Sequence, residues 1–182
     1  MQEREVRLTA QDILVSHLAP GADTDRPLAT FWADIDLNLS GAVVFDFALT
    51  HCRVRNARFT DTSFHGDATF CDTTFSGDTR FDATLHSEAI FDRATFGKSA
   101  RFNGTTFSDD AKFNAVTFAK DAIFDQVTFS NAAWFVQASF HGAVSLCDVT
   151  YSSDLSKILD RATKFPISMN YSRPGETPTV RM

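Results

Sequence analysis

Residues able to do chemistry recur in this chain at a fixed distance. His65-Gly66-Asp67, His86-Ser87-Glu88 and Ser108-Asp109-Asp110 are separated by 21 and then 22 positions. Imidazole and carboxylate are competent ligands for zinc and related cations. If that spacing brings them together, His65, Asp67, His86 and Glu88 form a candidate metal corner. Nothing in the sequence supplies the partners that normally orient such ligands, so a solvated polar corner is the simpler reading and no metal or other cofactor is expected. Nucleophilic chemistry has less support. The sequence contains no GxSxG, P-loop, HExxH or glycine-rich dinucleotide turn. Cys52, Cys71 and Cys147 are odd in number and lack a CxxC pairing, which argues against both a disulfide framework and a zinc ribbon. Cys52 is expected in the core, Cys71 and Cys147 outside it.

The elements that would position these groups follow from a repeat. A small residue lies two places before a large apolar one at Ala42/Val44, Phe47/Leu49, Cys52/Val54, Ala57/Phe59 and Thr62/Phe64. From Phe64 the large residue recurs at alternating steps of six and five, through Phe70, Phe75, Phe81, Leu85, Phe91 and onward to Tyr151. The step from Phe81 to Leu85 is one residue short and reads as a deletion. A helix is excluded, because residues five apart lie about 140° from each other around its axis, so no apolar stripe forms. Each eleven is also loaded with Thr, Asp, Asn and Gly, which are poor helix formers. Small and large residues two apart instead share one side of an extended segment. Short strands of this kind bury a face only by stacking as successive coils.

Units such as Ala57-Arg58-Phe59, Ala94-Thr95-Phe96 and Ala138-Ser139-Phe140 resemble those of the pentapeptide-repeat family, over twenty-one consecutive units from 42 to 151. Phe almost replaces Leu at the centre, and alternate corners carry an extra residue. The stretch Phe31-Trp32-Ala33-Asp34-Ile35-Asp36-Leu37 adds an actinobacterial-like look; proteins of that look often carry a membrane segment. The resemblance implies an all-β fold, a right-handed quadrilateral β-helix of about five coils with short helical caps at both ends. The expected organisation is an N-terminal helix and cap over 1–41, the repeats over 42–151, and a C-terminal helix, cap and tail over 152–182. The first helix is expected from Thr9 to Leu18, with Leu28, Phe31 and Trp32 covering the first coil. The second is expected over Asp154 to Leu159, followed by a loosely ordered tail from Tyr171.

Stacking makes columns of residues about 22 apart. One places Arg58, Arg80 and Arg101 beside Asp82, Asn103 and Asp125, a mixed-charge docking strip or a surface ladder of opposite charges. Another aligns Ile90, Lys112 and Trp134 outward as a candidate partner contact. The column Asp67, Glu88 and Asp110, with Asp78 and Asp121, is the acidic side.

The formal charge of −6 argues against direct nucleic-acid binding. No apolar run approaches the 18 to 20 residues of a membrane span, and no leader is read at the N-terminus. A reducing cytoplasm fits the cysteines. The reading that results is a non-catalytic scaffold or protein-interaction module. The resemblance also implies an alternative, a DNA mimic that binds a type II topoisomerase such as DNA gyrase and modulates quinolone or toxin sensitivity. About 25 Å of duplex carries roughly 15 negative charges, whereas the span 42–151 holds 13 acidic and 9 basic residues. That mechanism generally involves a dimer, for which the apolar stretch Phe165 to Met169 is available. Metal-dependent activity at the His65/His86 corner is the third reading.

Overall fold

A computed structural model describes residues 2–23 and 25–151. Its architecture is set by the alternation of buried and exposed side chains. In Ala57–His65 and Thr79–Leu85 the small and large apolar residues are buried and their neighbours face outward. Short strands of two residues, such as Ala100–Arg101, Thr106–Phe107, Ala111–Lys112 and Thr117–Phe118, repeat the pattern on four sides. Every pairing between coils is parallel, offset by 20 residues in the first coil and by 21 or 22 in those that follow. Arg80 pairs with Arg101, Ile90 with Lys112, and Phe96 with Phe118. The product is a β-solenoid of about five coils.

Phe at the central position follows from the geometry of stacking. Coils are separated by the inter-strand distance of about 4.8 Å, and rings one coil apart stack face to face at that spacing. Phe91 and Phe113 are 4.7 Å apart at 2°, Phe102 and Phe124 4.8 Å at 2°, Phe118 and Phe140 4.9 Å at 9°. Rings of different columns meet edge to face, as Phe102 and Phe113 do at 89°, so both favourable aromatic geometries are used together. Phe59 to Phe118 along these columns are fully buried. The small positions, Ala57, Ala100 and Ala122 on one side and Cys52, Ala94 and Ala138 on another, fill the corners inside.

The corners are of two kinds. Five-residue steps turn through one residue with positive φ. His51, Asp72, Arg93, Ala115 and Gln137 form one column of such residues, at φ of 54 to 59°. Asp61, Gly104, Gln126 and Asp148 form another. The shortened step lies in this second column and lacks its left-handed residue. Pairing around it shifts register between Thr60 and Ser63, a bulge in the strand that keeps the extra residue. The missing residue leaves a notch of about 360 Å³ lined by Asp61, Ser63, Asp82, Thr84 and Gly104.

An open end of such a stack exposes unpaired strand groups and needs a cap. The N-terminal helix α1 supplies it. It spans Gln2–Leu18, seven residues longer at its start than expected. Thr9 is not its cap: its hydroxyl donates to the Glu5 carbonyl one turn back, a bond that satisfies Thr inside a helix, while Glu3 and Glu5 occupy the first turn, where the dipole favours acid. Gln11 does the work of a missing strand. Its amide donates to the Phe45 carbonyl at 2.7 Å and accepts from the Phe45 N–H at 3.0 Å. Arg7 donates to the Val43 carbonyl, and Leu14, Val15 and Leu18 pack onto the core. Leu28, Phe31 and Trp32 do not cover the first coil as expected: Leu28 and Trp32 are exposed and Phe31 is half-buried, the space being taken by the helix. Strand pairing starts at Leu37, opposite Ala57, before the expected beginning of the repeats at 42. The helix expected over Asp154 to Leu159, the tail from Tyr171 and the stretch Phe165 to Met169 lie outside the described residues.

Candidate functional site

The outward residue between each small and large position forms a row along each face, held by the register of the strands beneath it. On the first face Arg58, Arg80 and Arg101 stand directly over one another. Within the strip the arginines themselves form a ladder of like charges. Asp82 sits 3.7 Å from Arg80, along the same strand. Arg58 and Arg101 have no ion pair among the described residues. An open groove of about 480 Å³ follows the row, lined by Asn38, Arg58, Asp78, Arg80, Ser99 and Arg101 among others. Like charges directly opposite on neighbouring strands are destabilising, so the pairing of these arginines with one another adds nothing to the stability of the fold.

The acids beside it behave differently. Asp125 accepts the Cys147 N–H at 2.9 Å and the Ser145 hydroxyl. Asp78 accepts from Ser99 N–H, Asp121 from Ala143 N–H, Asp110 from Ala132 N–H, and Asp92 from Asn114 N–H. Asn56 and Asn114 repeat the pattern, toward Asp78 and Val136 N–H. Each of these side chains reaches one coil forward and satisfies a backbone donor at a corner, where the ladder cannot. Asp110 and Asp125 are thus structural acceptors rather than free contacts. A partial signal for this role stands in the sequence, in Asn56 and Asp78, Asp92 and Asn114, and Asn103 and Asp125, each pair 22 residues apart.

The histidine corner is built as a stack. His65 and His86 lie face to face at 4.5 Å, with Phe45 beyond His65 at 5.4 Å. The Ser63 hydroxyl lies 3.3 Å from His65 Nε2 and 3.0 Å from His86 Nε2, and can donate to one while accepting from the other. Glu88 turns instead to Lys112, whose ammonium pKa is raised by that hydrogen bond. The four expected ligands are not brought into one cluster: among the described residues no group of three or more His, Cys, Asp or Glu is placed to hold a metal ion.

On a third face Thr69, Ile90, Lys112 and Trp134 are in register. Ile90 is half-buried and Trp134 is 46% exposed. Cys52 is buried, and burial pushes its thiol up to about 11. Cys71 is half-buried, its pKa also raised, mainly by burial and then by Asp92; Cys147 is half-buried and free.

Four short strands per turn, parallel stacking at the strand distance and a column of large apolar residues on each side define a quadrilateral β-solenoid. Residues 91–135 match the family model for pentapeptide repeats, in nine copies. The coils on either side continue the same register, so the matched pentapeptide repeats are part of one continuous solenoid. No curated protein and no solved structure matches it. Among the described residues no helix is long and apolar enough to cross a membrane.

Proposed function

We propose that the protein is a non-catalytic scaffold that docks a protein partner, with Arg58, Arg80 and Arg101 as its principal contact and an acidic segment as the complementary surface. The carrying observation is the in-register row of guanidinium groups along an open groove. Carboxylates laid into that groove would relieve the repulsion within the row and form charge-assisted hydrogen bonds. Ile90 and Trp134 provide a second contact of apolar character on another face, with Lys112 held back by Glu88. A rigid sheet suits this role, because the side chains are held in place before binding and little ordering cost follows. Three unpaired thiols support work in a reducing cytoplasm.

The test is affinity capture followed by cross-linking, with wild-type bait beside an Arg80→Glu/Arg101→Glu bait. The expected result is a specific partner that the charge-reversed bait loses while its melting temperature is kept. A partner retained equally by both baits would refute the arginine face as the contact. A gyrase supercoiling assay on the same preparations addresses the DNA-mimic alternative, to which the acids give little support, since Asp78, Asp110, Asp121 and Asp125 are engaged with backbone donors.

A further inference from the structure

Four of the five large hydrophobic side chains that stand exposed among the described residues belong to the N-terminal cap. They are Val6, Ile13, Leu28 and Trp32, at 65, 55, 55 and 45% of full exposure. The solenoid makes no use of them, since α1 is fastened by Arg7, Gln11, Leu14, Val15 and Leu18. Val6, Ala10, Ile13 and His17 follow one another at spacings of four, three and four, which gathers them on a single flank of the helix. At 100° per residue that flank is roughly 110° from the side that meets the core. Trp32 extends it, its ring stacked on His17 at 4.1 Å and 2°.

We propose that this flank is a homodimer contact, in which α1 packs antiparallel against α1 of a second copy about a two-fold axis close to Ala10. The pattern is self-complementary. With Ala10 opposite Ala10, Val6 of each copy meets Ile13 of the other, and Glu3 at one helix start lies beside His17 at the other helix end. The smallest side chain falls at the axis, where the two backbones approach most closely, and the oppositely signed ends of the two helix dipoles are neighbours. A two-fold interface needs the same patch to be complementary to itself; an unrelated partner would impose no such symmetry. A helix of 17 residues is about 25 Å long and about 10 Å wide. Alone it covers less than the roughly 1,000 Å² of total area that marks a stable interface. The His17 and Trp32 stack enlarges the patch at each end, and the dimer is of the weak, concentration-dependent class.

Sedimentation equilibrium of the full chain, carried into the hundreds of micromolar, tests the proposal. The wild type is expected to self-associate, and Val6→Glu and Ile13→Glu to weaken association about tenfold or more with unchanged melting. Independently, Ala10→Cys in a Cys71→Ser/Cys147→Ser background should give a disulfide-linked dimer on mild oxidation, while Asp12→Cys, on the opposite flank, should not. A protein monomeric throughout the range would overturn the proposal. So would a dimer of unchanged affinity in both glutamate variants, which would move the interface to Trp134 or to residues 152–182. Equal cross-linking by the two cysteine variants would overturn it as well.

Discussion

Two sets of charges stand on the same solenoid surface, a few ångström apart, and differ in what holds them. Corner acids such as Asp110, Asp121 and Asp125 each accept a backbone N–H from the next coil. Face arginines Arg58 and Arg101 have no ion pair among the described residues, and each stands against Arg80. In a stack, every outward residue has a neighbour of known identity at about 4.8 Å, so a side chain either helps that neighbour or opposes it. The acids help. The arginines oppose one another, which is the mark of a surface kept for something other than folding.

The core sets the scale on which that contrast is measured. Phe102 is fully buried between Phe81 and Phe124, stacked on both. Phe102→Ala should cost roughly 3 to 5 kcal/mol, read by denaturant or thermal unfolding. Next comes the corner. Asp125→Ala removes the acceptor of the Cys147 N–H and the Ser145 hydroxyl and should cost about 1 to 3 kcal/mol. Arg101→Ala, one residue from Phe102, should change stability by less than about 0.5 kcal/mol in either direction while abolishing capture of the partner. Should Arg101→Ala prove as costly as Asp125→Ala, the division into structural acids and functional arginines would fail.

Much of this was legible from residue spacing. The columns through Arg58, Arg80 and Arg101, and through Ile90, Lys112 and Trp134, followed from counting 21 or 22 residues, because a solenoid converts sequence distance directly into contact. The acids escaped that reading. Their partners are backbone donors, which every residue but proline possesses, so no pairing of side-chain types reveals them. His65 and His86 were placed together correctly in position, but the spacing could not show that Glu88 would turn to Lys112 and leave the rings to stack. The start of α1 was also hidden. Thr9 is a good cap residue, and only the fold reveals that Arg7 has a carbonyl to bind, which extends the helix toward the N-terminus.

The smallest effect separates the arginines themselves. Arg93 forks onto Asp72 at 2.7 and 2.6 Å, and Arg55 onto Asp36 at 2.7 and 2.8 Å, the two-pronged geometry that favours guanidinium with carboxylate. Both carboxyls are held below the usual range, each chiefly by its arginine hydrogen bond. A depressed folded-state pKa contributes stability that is fully present above the unfolded value of about 4 and is lost as pH falls toward the folded value. Both pairs are solvent-exposed on the arginine side, so solvent screening keeps the contribution of the Arg93 pair small. Wild type should then lose slightly more melting temperature than Asp72→Asn between pH 5 and about 2.5, the range spanning the unfolded value. Arg93→Ala should erase that difference, whereas Arg101→Ala should leave it intact. A pH response lost equally in both arginine variants would mean that Arg101 has a carboxylate partner after all, and the arginine row would have to be reread as part of the fold.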